Sequence, residues 1–256
     1  GSRRGPGWPV VAIAAGLGVA IGATVPRVGE TAAVYVDEAS VVGHVDVRQC
    51  SDAWTTAVAG LSPTRHLDLG ASSALPGDTP APGLLACDPT GALTLRGGPE
   101  EHAEDPAGPI ATGSAQALAF WVALDASADP GDLVWLTRPD GSGLGVRVAG
   151  GLLELVESGG GGSPLTVLAQ VGAPASGAHL VTVTRAGADT VTLRLGNAAV
   201  ATVTPSGAGS ETVRLVVGAP AGSGRAAARA VVDEVVVIPG PLDAGQVAAL
   251  VAANTW

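Results

Sequence analysis

Val231-Val232-Asp233-Glu234-Val235-Val236-Val237-Ile238, followed by Pro239-Gly240-Pro241-Leu242 and Asp243-Ala244-Gly245-Gln246-Val247-Ala248-Ala249-Leu250-Val251, decides the fold of this chain. The β-branched run has the composition of a buried strand, and Pro-Gly-Pro stops it. Asp243 and Gln246 have the spacing of a capping box, and Val247, Leu250 and Val251 share one helical face. A strand that closes a sheet and then hands over to a short amphipathic helix is the ending of a β-sandwich.

Upstream of that ending, strands come at regular intervals. The pattern predicts them over 92–96, 117–124, 133–137, 144–148, 152–156, 165–171, 179–185, 190–195, 199–203, 212–217 and 230–238. Pro139-Asp140-Gly141, Gly159 to Ser163, Ala186 to Asp189 and Gly196-Asn197 supply the turns. Val181, Val183, Val191, Leu193 and Leu195 alternate with Thr182, Thr184, Thr192 and Arg194, which predicts one buried and one solvated face. Earlier in the chain, 41–48 reads as a strand, 52–61 as a helix capped by Ser51 or Asp52, and His66 to Leu69 as a strand. Residues 70–91 read as a long surface loop, and Gly97 to Gly113 as a solvated acidic loop holding Glu100, Glu101, Glu104 and Asp105.

Composition agrees. The chain has 38 Gly and 19 Pro with only 3% aromatic residues, a turn-dense all-β signature. All 13 cations are arginine, and the formal net charge of −10 argues against non-specific binding to nucleic acid or anionic lipid. The fold class expected is therefore all-β: an antiparallel jelly-roll sandwich with a short C-terminal helix and an N-terminal hydrophobic helix.

That N-terminal segment reads as an export signal. Arg3 and Arg4 form a basic start, Trp8 to Val25 is uncharged, and Thr31-Ala32-Ala33 offers small residues for cleavage after Ala33. The alternative is a helix retained as an anchor or as the core of a pilin-like filament, with Trp8, Val11, Ile13, Leu17, Val19 and Ile21 as the assembly residues. No Glu sits near the fifth position, where type IV pilins carry one. The stretch after it, Ala33-Val34-Tyr35-Val36-Asp37, resembles the start of Gram-positive proteins exported for biofilm fibres, with Val36 standing where those usually have Thr. The domains expected are residues 1–33 as signal or retained helix, 34–49 as an N-terminal strand or connector, and 50–256 as the jelly roll. Cys50 and Cys87, the two cysteines of an exported chain, are expected to pair. Such a bridge is worth about 3–4 kcal/mol in the chain-entropy model.

The order of motifs carries a resemblance. Ala117-Leu118-Ala119-Phe120-Trp121-Val122-Ala123-Leu124, Gly150-Gly151-Leu152-Leu153-Glu154-Leu155, His179-Leu180-Val181-Thr182-Val183-Thr184-Arg185, Thr192-Leu193-Arg194-Leu195-Gly196-Asn197, Leu215-Val216-Val217-Gly218 and Val232-Asp233-Glu234-Val235 follow one another as in laminin-G-like (concanavalin-A-like) domains. Cys50-Ser51-Asp52-Ala53-Trp54 through Leu69 resembles the opening of actinobacterial copies. The chain departs from them at Ala178, where the family often has Trp, and at Leu193 or Leu195, where it has an aromatic. The resemblance implies a secreted or cell-surface adhesion module that recognises glycan or protein through rim loops.

The residues point away from catalysis. Laminarinase-type relatives place two carboxylates on one strand face, whereas the spacing of Glu154 and Glu157 puts them on opposite faces. The four histidines, His44, His66, His102 and His179, have no Ser or Cys partner in the pattern. Asp233 and Glu234 alternate across the sheet, either satisfying backbone donors or an arginine, or with Asp233 as a calcium ligand helped by Asp140, Asp189 or Asp105. No other cofactor is expected. Phe120 and Trp121 point to opposite faces, Trp54 and Trp135 read as core plugs, and Trp256 is left over. Partners are then a glycan or surface protein, or copies of the chain in a filament, with the membrane engaged through residues 8–25. The location expected is extracellular, at the cell surface.

Overall fold

The computed structural model describes residues 50–69, 80–81, 83–85, 91–113, 115–125, 130–160, 163–174, 176–187, 190–205 and 211–254. These fall in the unit Arg48–Trp256. The expected export segment, its assembly residues, the connector strand, Cys87, Asp189 and Trp256 lie outside them.

The elements are α1 (Cys50–Ala59), β1 (Arg65–Leu67), β2 (Pro80–Ala81), β3 (Ala92–Arg96), β4 (His102–Glu104), β5 (Ile110–Thr112), β6 (Gln116–Leu124), β7 (Gly131–Thr137) and β8 (Ser142–Ala149). They continue with β9 (Leu152–Gly159), β10 (Thr166–Gly172), β11 (His179–Arg185), β12 (Val191–Leu195), β13 (Ala198–Val203), β14 (Glu211–Gly218), β15 (Arg229–Ile238) and α2 (Ala244–Ala252). Two antiparallel sheets form the sandwich. The first runs β13-β12-β11-β6-β15-β3-β2, with β1 also on β15; the second runs β10-β9-β8-β7-β14-β4, with β5 also on β14. Sequence-distant neighbours such as β6–β11, β6–β15 and β7–β14 give the jelly-roll connectivity.

The inner faces meet in one apolar core. Leu118, Phe120, Val122, Val181, Val183, Val232, Val235 and Val237 from the first sheet face Leu136, Val146, Val148, Leu153, Leu155, Leu215 and Val217 from the second. The outer face of the first sheet is roofed by both helices. Trp54 and Val58 of α1 and Val247 and Leu250 of α2 pack on Ala117, Ala119, Trp121, Leu180, Val236 and Ile238. Trp54 and Trp121 meet edge to face, with ring centroids 5.9 Å apart. The helix start expected at Asp243 is present in full: the Gln246 amide donates to Asp243 Oδ1 at 2.8 Å, and the Asp243 amide donates to Gln246 Oε1 at 2.9 Å. Among the described residues no helix is long and apolar enough to cross a membrane.

Several expectations are corrected. The first helix begins at Cys50, so Ser51 and Asp52 sit inside it rather than capping it. The acidic stretch is not a solvated loop throughout: it contains β4 and β5, both paired to β14, and Asp105 is buried against Arg65 Nε at 2.8 Å. The second face of β11 is not solvated either, since Thr182 and Thr184 are buried. Thr182 stands in register between Ala119 and Arg194, in the middle of the sheet rather than at its edge.

Candidate functional site

Asp233 and Glu234, singled out by the sequence, lie at a β-bulge. Asp233 pairs with Trp121 and Val236 with Ala119, so Glu234 and Val235 together oppose Phe120. Glu234 takes φ +50°, the left-handed region that side chains other than Gly rarely occupy. The bulge resets the strand's parity. Val232 and Val235 both face the core, and both acids face outward beneath the helices, which corrects the expectation that they split between faces.

Their partners are internal. Asp233 Oδ2 accepts from the Leu84 amide at 2.8 Å and so pins the segment 83–85. Glu234 Oε2 accepts from Trp54 Nε1 at 2.7 Å and bonds His66 Nε2 on β1. The Glu234 bond raises the His66 pKa above 6.5 against the opposing effect of burial, with Asp68 and Asp233 adding to the rise. These carboxylates hold α1, β1 and the 83–85 segment to the sheet.

Of the calcium candidates that are described, Asp233 and Asp140 do not converge. Asp233 belongs to the first sheet, whereas Asp140 sits in the β7–β8 turn of the second. There it accepts from the Ser142 amide at 2.9 Å and Ser142 Oγ at 2.6 Å, and those bonds hold its pKa below the usual carboxylate value. Among the described residues no group of three or more His, Cys, Asp or Glu side chains could hold a metal ion.

A second set of charges crosses the outer face of the second sheet. A bulge between Asp132 and Val134 turns Asp132 outward, opposite Arg147, which stands opposite Glu154, which stands opposite Gln170. Arg225 Nε reaches Asp132 Oδ2 at 2.6 Å, Arg147 Nε reaches Glu154 Oε2 at 3.0 Å, and Gln170 Nε2 reaches Glu154 Oε1 at 2.9 Å. Burial raises the Asp132 pKa above its ordinary value, against the lowering effect of Arg225. Arg225 also lies 4.4 Å over the ring of Trp135. Trp135 is fully buried, but in this outer-face cluster with Val156 and Val216 rather than between the sheets. Glu154 faces outward beside Val156, and Glu157 follows on the opposite face, as the spacing predicted.

The first sheet also carries a groove of about 430 Å³. Val231 and Ala123 occupy the next outward position along the strands after the Asp233–Trp121 pair, with Thr94 beside Val231. At the next outward position Arg229 of β15 stands directly opposite Arg96 of β3, and both are exposed. Asp125 lines the same groove, and its amide donates to the Arg229 carbonyl at 3.1 Å. Gly97 leaves room for the arginine stem: at φ +83° it has no Cβ, and one placed there would stand 3.0 Å from Arg229 Cγ. Glu101 fixes the end of β3, accepting from the amides of Arg96 (2.9 Å) and Gly98 (2.9 Å). No local pattern in the sequence marks this groove. Arg96 and Arg229 are far apart in the chain, and only the β3–β15 register joins them.

No protein-family model matches this chain, and no curated protein sequence matches it. Solved structures do. The botulinum neurotoxin serotype D binding domain is 10% identical with a TM-score of 0.56, over 77% of this chain and 52% of that one. The serotype D ligand-binding domain in complex with N-acetylneuraminic acid gives 11% and 0.52, over 77% and 52%. The Trypanosoma rangeli sialidase gives 12% and 0.51, over 79% and 37%. The chain thus spans about half of those proteins' length or less, and the likeness is one of β-sandwich fold.

Proposed function

We propose that this chain is a non-catalytic binding module, exported to the cell surface, that receives a glycan or protein ligand in the groove of Thr94, Arg96, Ala123, Arg229 and Val231. The groove carries this reading: about 430 Å³ lies within the range of small-ligand pockets. A second support is the employment of the buried acids. Asp105, Asp132, Glu154, Asp233 and Glu234 each hold a donor within the fold, which gives these five buried carboxylates an architectural role. The laminin-G-like order of motifs and the serotype D complex with N-acetylneuraminic acid both fit a module of this kind.

The test is a glycan and surface-protein array probed with the full chain, with and without calcium, beside an Ala123→Trp variant. Ala123 is half-buried at the groove floor, so the indole fills the groove. Binding lost in that variant with melting unchanged supports the reading. Silence of the full chain on every ligand counts against it.

A second reading, a subunit of an extracellular filament, draws on one observation. β10 closes one end of the second sheet, and its Val167 is 42% exposed, the only large apolar side chain so placed among the described residues. A strand from a neighbour, or the hydrophobic segment at residues 8–25, would then join copies. Electron microscopy of the producing cell surface separates the two readings by the presence or absence of fibres.

A further inference from the structure

We infer that the groove selects an acidic sugar, seating its carboxylate or sulfate between Arg96 and Arg229; this rests on the groove being the ligand seat. Arg229 and Arg96 are Cα partners on adjacent strands, and both point from the outer face, because Leu95 and Ala230 beside them face the core. Like charges directly opposite on a sheet repel and contribute nothing favourable to folding. The repulsion is relieved by an anion that both guanidinium groups can grip.

The guanidinium groups have donors to spare. Two guanidinium groups offer about ten N–H donors, whereas one carboxylate accepts about four hydrogen bonds. Among the described residues Asp125 is the carboxylate lining the groove, and one carboxylate has fewer acceptor sites than the two arginines have donors. The Glu101 carboxylate is engaged with the amides of Arg96 and Gly98. Elsewhere the protein is acidic, with a formal net charge of −10, so it repels anions at long range. An anion that binds must do so through a local arrangement such as this one.

The arrangement is built rather than incidental. Gly97 lets the stem of Arg229 lie along the β3 end, the Asp125 amide holds the Arg229 carbonyl, and Glu101 holds the Arg96 backbone. Both arginines are thus held by their backbones at their own strand ends, with exposed heads.

The sheet face decides between a sugar and an acidic peptide. β15 is hydrogen-bonded to β6 on one side and to β3 on the other along the groove, so an extended peptide cannot add to that central strand. What the floor offers instead is flat and small, Ala123 and Val231 with the Thr94 hydroxyl beside them. A pyranose ring can lay its C–H face on such a floor and direct its anionic group to the arginines.

The experiment uses the full chain against uronate-, sialate- and sulfate-bearing oligosaccharides, their neutral counterparts, and polyglutamate. Acidic glycans are expected to bind about tenfold or more tightly than the neutral counterparts. Arg229→Gln and Arg96→Gln, each with melting unchanged, are expected to remove that preference, and so is about 0.5 M salt. Equal binding of acidic and neutral glycans, or a preference that survives both substitutions, overturns the anion seat while the binding module stands. Polyglutamate bound as well as the acidic glycans overturns the sugar assignment. No binding to any member of the panel overturns both the seat and the module.

Discussion

Replacing Glu234 with Gly sets two local effects against each other, and their difference tests the account of the bulge. At φ +50° a glutamate is strained, and glycine relieves about 1–2 kcal/mol. The same change removes the acceptor of Trp54 Nε1 and of His66 Nε2. Hydrogen bonds to a charged group contribute about 1.5–3 kcal/mol each. The side chain of His66 is 26% exposed and that of Glu234 only 7%, so the indole bond belongs at the upper end and the imidazole bond at the lower. The net expectation is a loss of about 2–4 kcal/mol, or a melting temperature about 5–15 °C lower for a domain of this size. Urea unfolding of the full chain, followed by tryptophan fluorescence, measures it. Trp54→Phe removes the indole donor together with part of a buried ring, and a double-mutant cycle with Glu234→Gly, in which that packing loss cancels, is expected to give a coupling of about 1–2 kcal/mol. A Glu234→Gly protein as stable as wild type, or a cycle with no coupling, would refute the view that this carboxylate clamps the helix to the sheet.

The same cluster predicts a pH dependence. The folded-state pKa of His66 lies above 6.5, so its protonated form contributes stability that is full below about pH 6.5 and lost as pH rises through the higher folded value. Wild type is therefore expected to lose more stability than His66→Gln between about pH 6 and pH 9, and an equal slope for the two proteins would remove His66 as the cause. On the other sheet, a methyl group at Gly145 would overlap the ring carbons Cδ2 and Cε2 of Trp135. Gly145→Ala is expected to cost about 2–4 kcal/mol in urea unfolding, from overpacking plus the displaced Arg225 contact. A variant within about 0.5 kcal/mol of wild type would mean that the indole moves aside without penalty.

What could be read in the sequence was what is local. The Asp243–Gln246 capping box needs only its own four residues, and β11, with its clean alternation, begins and ends where the pattern placed it. The acidic stretch misled because β4 and β5 are three residues each and owe their strand form to pairing with β14, not to propensity. Asp233 and Glu234 misled for another reason. Alternation assumes an unbroken strand, and one inserted residue reverses the faces beyond it. Nothing in the neighbourhood of Arg96 or Arg229 announces a groove, because register between distant strands has no local signature.

The two bulges share a logic that bears on the groove. In β7 the bulge sends Asp132 outward to Arg225, and the backbone of Asp132 bonds the 226–228 segment: its amide donates to the Ala226 carbonyl at 2.9 Å, and the Ala228 amide donates to its carbonyl at 2.8 Å. That segment runs straight into Arg229, the first residue of β15. In β15 the second bulge sends Asp233 outward to the Leu84 amide and Glu234 to Trp54 and His66. The stretch from Arg229 to Val231, which presents one guanidinium and part of the floor, is therefore held before it by one buried acid and after it by two. Each acid is costly to bury and is compensated only when the chain runs as it does here. The acids of this chain thus fix where a cation stands: Arg229 is exposed at its head and immobilised at its backbone, which lowers the entropy an incoming anion would otherwise have to overcome.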